Sequence, residues 1–413
     1  MQKTILKSIA AIALAILFFS CKKESVAPAF TKTIQLPTNG DAVVNASNGF
    51  AFNFFKKTLE QDTATANQLV SPLSIYLALS MVYNGAVNST KDAIEKVLQL
   101  QGISIQDLNN TCQALMQQLP EEDSRVKLSI ANSLWYKKQV QPLTPFINTA
   151  QQNYLAGTQA LDFADPASVD IINNWISEHT GNKINKILQS IAPEDLMYLI
   201  NAIYFKGGWQ HAFDASKTSN GYFYLKDGNT VNVPFMNQEL TTNYYADNTM
   251  RLIELSYGGG KSYSMYIAMP AKQGQSLNDF AASIDQTSIA NAINQMDSTQ
   301  IDLALPAWEY AYNVTAMQNI LTDLGMGIAF TESADFTNIY PGNAHITKAM
   351  HKAYIKVNEE GTEAAAVTVI GIGDTASAGL PKFKADHPFV YLIVEKQTGT
   401  VLFMGKVGNP AVH

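Results

Sequence analysis

The sequence predicts an α+β fold built mostly on antiparallel sheets. Three observations predict it: helical and strand patterns interleave without strand-helix-strand regularity, the later half carries hairpin signals at Asp227-Gly228 and Gly258–Gly260, and no linker-like break divides the chain. With 46% apolar and 15% charged residues over 413 positions, the chain is long and apolar enough for one large domain with its own core.

The first element is a leader. "MQKTILKSIAAIALAILFFSCKKES" carries Lys3 and Lys7, an apolar run from Ile9 to Phe19, then Ser20-Cys21. The run is too short to span a bilayer and reads as an export signal over residues 1–20. A small residue directly before Cys21 resembles the lipobox of bacterial lipoproteins, in which that cysteine is lipidated and becomes the first residue; plain secretion with an incidental cysteine is the alternative. Lipidation would anchor the protein to the bacterial outer membrane, facing the periplasm or the cell surface. Residues 21–44, polar with scattered Pro and Gly, read as the tether, and residues 45–413 as a single domain. Cys112 is the other cysteine, so no intrachain disulfide forms unless those two pair, and the core must hold the fold. A formal charge of −7, more acidic once Lys3 and Lys7 leave with the leader, argues against a nucleic-acid partner.

Along the domain, "NASNGFAFNFFKKTLEQ" is an amphipathic helix. In "VSPLSIYLALSMVYNGA", Ser71 stands at an N-cap and Pro72 at the first helical position, and the body from Leu73 to Tyr83 is apolar nearly all round, which predicts burial. "VKLSIANSLWYKK" and "LMYLINAIYFKGGWQ" read as strands, the second long and apolar enough to be central in a sheet. "DIINNWISEHTGNKINKIL" is an amphipathic helix turning at Gly181, "IDLALPAWEYAYNV" a strand, and "AMQNILTDLGM" a helix.

Enzymatic machinery is missing. The glycines before Lys261-Ser262 lack the leading glycine of a phosphate loop, whose place is taken by Leu255, and read instead as the hairpin turn. Ser124-Arg-Val-Lys127 has β-lactamase spacing without the partner motifs. No His-Glu-x-x-His or Cys-x-x-Cys occurs and the six histidines are scattered, so neither a metal nor a cofactor is expected. An anchored hydrolase would need a nucleophile that no motif supplies.

"EEGTEAAAVTVIGIGD", from Glu359 to Asp374, combines helix-favouring alanines with β-branched residues and runs into a small-residue loop ending at Pro381. A connection this long is functional or disordered. The flanking "HKAYIKVNEEGTEAAAVTV" and "HPFVYLIVEKQTGTVLFMGKVGNP" resemble the serpins, the serine-protease-inhibitor fold, and "SPLSIYLALSMVYNGA", "NAIYFKGGW", "LALPAWEY" and "DFTNI" follow the same family order across residues 45 to 410. The resemblance implies a serpin fold with three mainly antiparallel sheets, about nine helices, and a reactive-centre loop over about residues 359–386. A target protease cleaves that loop, its N-terminal half enters the main sheet as a new strand, and the acyl-linked protease is carried along and distorted.

Strand alternation places Thr362, Ala364, Ala366, Thr368, Ile370 and Ile372 on one face, all uncharged. Glu363, the only charge among the inserting residues, falls on the other face with Ala365 and is expected to stay solvated, which avoids burying a charge. Gly361 can flex at the hinge. At the family's usual hinge length, the resemblance implies a reactive bond at Thr375-Ala376 counted from Glu359, or near Ser377 counted back from His387-Pro388. No Lys, Arg or aromatic residue lies between Glu359 and Leu380, which disfavours trypsin-like and chymotrypsin-like targets and favours elastase-like or subtilisin-like proteases. The resemblance further implies a shutter of Ser71, Ser74, Asn201 and His351 beneath the parting sheet, and a breach of Trp209 and Glu359 where insertion begins. The lysine that usually pairs with the latter is replaced by Ala307. From the residues alone, Asn201 in an apolar strand needs a partner and His351 is a satisfied core histidine. The expectation is a monomeric, membrane-tethered suicide inhibitor of serine proteases, with cysteine proteases as a further target class. The alternative is a non-inhibitory serpin acting as a binding or chaperone module.

Overall fold

The computed structural model describes residues 31–363 and 379–412 apart from Pro193, Lys261 and Gln273. The chain enters as a strap. Lys32 N–H donates to Glu122 O (2.8 Å), the Gln397 side chain holds both backbone polar groups of Ile34, and the Ile34 side chain is buried. The free tether expected over residues 21–44 is therefore corrected from residue 31 onward, and the first helix, α1 (Gly40–Gln61), begins before residue 45.

Then follow β1 (Gln68–Val70), α2 (Pro72–Tyr83), α3 (Asn88–Val97), α4 (Ile105–Gln118), β2 (Val126–Lys137), α5 (Thr144–Asn153), β3 (Gly157–Leu161), α6 (Ala167–His179) and β4 (Met197–Gly208). β5 (Ser219–Tyr224) turns through Gly228 into β6 (Thr230–Ala246), and β7 (Met250–Ser256) turns through Gly258 and Gly260 into β8 (Tyr263–Pro270). All three glycines have positive φ, so both hairpins turn where the sequence predicts. α7 (Leu277–Ser283), α8 (Gln286–Asn294), β9 (Asp297–Pro306), β10 (Trp308–Asn313), α9 (Met317–Leu321), β11 (Lys352–Asn358), β12 (Gly361–Thr362), β13 (Lys382–Lys384), β14 (Phe389–Glu395) and β15 (Val401–Val407) follow.

One sheet has six strands in the order β10-β11-β12-β4-β2-β3; the other has nine, β1-β15-β14-β8-β7-β6-β9-β13, with β5 on β6. Hydrogen bonds join two of the three implied sheets because β6 is 17 residues long and serves β5 at its start, β9 along its middle and β7 at its end. The expected single strand 301–314 breaks at Ala307, which donates to Pro234 O (3.1 Å), so β9 stays in one sheet while β10 enters the other. The two sheets are tied by Tyr310 on β10. Its hydroxyl lies 3.1 Å from the carbonyl oxygens of Gln68 and Lys406 and 2.8 Å from the Tyr391 hydroxyl. The α-helical part of the expected helix ends at Leu321 and continues to Met326 as a π turn in which Gly325 takes a left-handed conformation (φ 118).

α2 starts as predicted, with Ser71 at the N-cap and Pro72 next. The Ser71 hydroxyl does not cap, however. It donates to Leu402 O (2.8 Å), because β15 passes the helix start. On the outer face of the six-stranded sheet, α6 buries Ile172 and Ile176 against Trp135, Tyr198 and Ile200, a second small core apart from the main one.

Candidate functional site

β12 is where the chain first enters the parted sheet. Gly361 and Thr362 pair with Asn358 and Val357 of β11 on one side and with Gly208 and Gly207 of β4 on the other. Only glycine fits at 361: φ is 148, and a Cβ would come within 2.2 Å of Gly207 O. Asn358 Oδ1 accepts from the Glu360 and Gly361 amides (3.2 Å each). Trp209 closes the seat from β4's end. Its backbone N–H reaches Glu360 O, its indole N–H reaches Asn358 O (both 2.9 Å), and its ring stacks on Tyr257 at 4.5 Å. The Thr362 side chain is buried, its hydroxyl 2.7 Å from the Tyr257 hydroxyl. The Glu359 carboxylate accepts from Thr218 Oγ1 (2.7 Å), so a threonine meets it where Ala307 leaves no lysine.

Glu363 differs from expectation. Its side chain is 5% exposed rather than solvated, its carboxylate lies 3.4 Å from Lys183 Nζ, and it faces the Tyr204 hydroxyl. Its φ of 56 is left-handed, at a cost of about 1–2 kcal/mol for a residue with a Cβ, and this bend ends the strand. Burial together with Glu363 pushes the Tyr204 hydroxyl well above the usual tyrosine range. The hinge alanines Ala364, Ala365 and Ala366, the reactive-bond candidates Thr375, Ala376 and Ser377, and Cys21 lie outside the described residues.

Below the hinge, β4 and β11 have no ladder with each other among the described residues. Between β4 and the segment 343–352 that leads into β11 lies a cavity of about 320 Å³, lined by residues that include Ile75, Leu79, Ile176, Ile184, Ile203 and His351. Its floor is polar. Ser74 Oγ donates to Asn201 Oδ1, Asn201 Nδ2 to Asn132 Oδ1 (2.7 Å), and Asn132 Nδ2 to Tyr154 O (2.7 Å). His351 Nε2 accepts from the Ser71 backbone N–H (2.9 Å), which requires a neutral ring, and burial pushes its pKa down to about 4. The four residues expected as the shutter stand in two hydrogen-bonded pairs under the gap, and Trp209 and Glu359 both stand beside β12. Sequence reasoning missed Asn132, Tyr204, Tyr257, Thr218 and Lys183. Only Asn132 left a signal, as a lone amide in an apolar strand that sits opposite Asn201 in register.

Residues 45–410 match the serpin (serine protease inhibitor) family. The chain is a serpin. An uncharacterized serpin-like protein of Thermococcus kodakarensis is 33% identical over 376 residues, 89% of this serpin and 86% of that relative. The thermophilic serpin tengpin in its native state superposes with a TM-score of 0.81 at 32% identity, over 92% of this serpin and 97% of tengpin. Tengpin in its latent state gives 0.76 at 31% identity, over 92% and 99%. The fold is the α+β serpin fold, with nine α-helices among the described residues.

Proposed function

We propose that this serpin is an irreversible suicide-substrate inhibitor of serine proteases with a small apolar primary pocket, elastase-like or subtilisin-like, that it also traps cysteine proteases, and that Cys21 anchors it by lipid to a bacterial outer membrane after export. The observation that carries the reading is the hinge: a two-residue strand seated at the top of a gap whose two walls do not pair. A strand added there satisfies both edges at once. The target's serine attacks the Thr375 carbonyl, the Thr375–Ala376 bond breaks, Ala376 leaves as a protonated amine, and the ester holds the protease while the freed loop fills the gap. Ser71, Ser74, Asn201 and His351 act as the shutter and Trp209 with Glu359 as the breach.

Mixing the purified protein with pancreatic elastase and with trypsin, then running denaturing gels and sequencing the released C-terminal peptide, tests this. An adduct with elastase that survives denaturation, and a peptide beginning at Ala376, is the expected result; a peptide beginning after Ser377 would move the bond. Loop cleavage without adduct across elastase, subtilisin and papain types would overturn it in favour of a binding module.

A further inference from the structure

The turn that ends α6 touches the hinge. Gly181 (φ 57) and Asn182 (φ 61) are both left-handed, and Gly181 lies so close to Tyr204 that a Cβ there would sit 3.0 Å from the ring. This turn aims Lys183 across the sheet. Its ammonium lies 3.4 Å from the Glu363 carboxylate and 4.9 Å from the centre of the Tyr354 ring. Tyr204 belongs to β4 and Tyr354 to β11, so the turn rests on both strands that part, Gly181 on the first and Lys183 on the second, and Lys183 also reaches the first residue beyond the paired hinge.

We propose that Lys183, with Tyr204, is the positioning group that keeps the hinge seated in the sheet and couples it to α6. The inference rests on the insertion reading above and adds what sets the starting point. A carboxylate 5% exposed needs a cation, and breaking such a pair by removing one partner leaves the charge stranded. With Lys183 gone, Glu363 gains by returning to water, which draws Thr362 and Gly361 out of the sheet. Residues beyond 363 can follow only where α6 and the segment after it yield, since Ile176 of the helix and Thr180, Ile184 and Ile187 beyond it line the cavity. A lysine on the α6 turn therefore holds the hinge in place until that helix moves.

The test compares the full-length protein with Lys183→Gln, Lys183→Glu, Tyr204→Phe and the charge-swapped Lys183→Glu/Glu363→Lys, by amide hydrogen exchange and by the ratio of adduct to cleaved protein. Lys183→Glu should speed exchange at least about tenfold in the peptides covering 204–213 and 352–363, leave 389–407 unchanged, and shift the partition several-fold toward cleaved product. Lys183→Gln and Tyr204→Phe should do the same more weakly, and the swap should restore the wild-type pattern. Unchanged exchange at the hinge, loosening that extends to 389–407, or failure of the swap to restore protection would overturn the proposal. If no adduct forms even with the wild-type protein, the inhibitor reading fails, while the exchange comparison still decides whether Lys183 seats the hinge.

Discussion

The two sheets answer the same demand, pairing of every strand's backbone, in opposite ways. In the nine-stranded sheet, β8, β14 and β15 are buried at every residue and laddered on both sides. In the six-stranded sheet, β4 and β11 alternate in burial, and among the described residues the space between them is covered for only two residues. The first sheet fixes its buried polar groups in local bonds, as Ser264 with Glu254 and Tyr391 with Tyr310; beneath the gap are Ser74, Asn132, Asn201 and His351. A strand buried on both faces has no cheap alternative position. A strand over hydrogen-bonding side chains, beside an unpaired edge, has one.

The contrast breaks most visibly through the core. Leu392→Ala, at a fully buried β14 position, should cost about 2–5 kcal/mol, read as a lower urea midpoint both before and after loop cleavage, because both forms share this sheet. Next come two pH effects of opposite sign. His351 has a folded pKa of about 4, below its unfolded value near 6.5, so its contribution is complete above pH 6.5 and is lost as pH falls toward 4, by about 3 kcal/mol. Urea midpoints should fall over that window, and His351→Gln should flatten the slope. On the nine-stranded side, burial first and the nearby charge of Glu395 second push Glu122 up to about 8. The folded form there holds a proton that the unfolded chain releases, so stability drops as pH rises from about 4.5 through 8, and Glu122→Gln should raise the midpoint at pH 8.

A subtler test separates fold from insertion. Thr362→Arg places a guanidinium against Tyr257; the hinge lifts out, the urea midpoint of the uncleaved form changes little, and the adduct fraction should fall at least about tenfold on denaturing gels. Thr218→Ala should have the smallest effect, about 0.5–1.5 kcal/mol in the thermal midpoint, since it removes one hydrogen bond to a part-exposed Glu359.

Much of this was legible locally. Asp227-Gly228 and Gly258–Gly260 announce their turns, Ser71-Pro72 marks the start of α2, and the apolar length of β4 places it inside a sheet. The hinge glycine was legible too, and its close approach to Gly207 gives the reason. What escaped depends on residues far apart in the chain. Glu363 is buried only because Lys183 and Tyr204 arrive from α6's turn and β4. Ala307 reads as one more strand residue, yet there the chain changes sheets. Residues 31–44 look like tether because three buried side chains, Ile34, Val43 and Val44, carry little pattern, while Glu122 and Gln397, which hold the strap, are distant in sequence. The parted sheet itself came from family resemblance, since no periodicity distinguishes a strand edge left open from one that is filled.

Tyr310 determines which half of the molecule is the frame. By joining β10 to β1, β14 and β15, it makes the β10–β11 pair a fixed wall that belongs mechanically to the nine-stranded sheet. Under the proposed insertion, widening the gap would be a one-sided slide pivoting where Gly208 meets Gly258: β4, β2, β3 and the α6 resting on them would travel as a single carriage, and the opposite wall would keep its place. Spectroscopic labels would register that asymmetry as a changing distance between α6 and β14 and a constant one between β10 and β14.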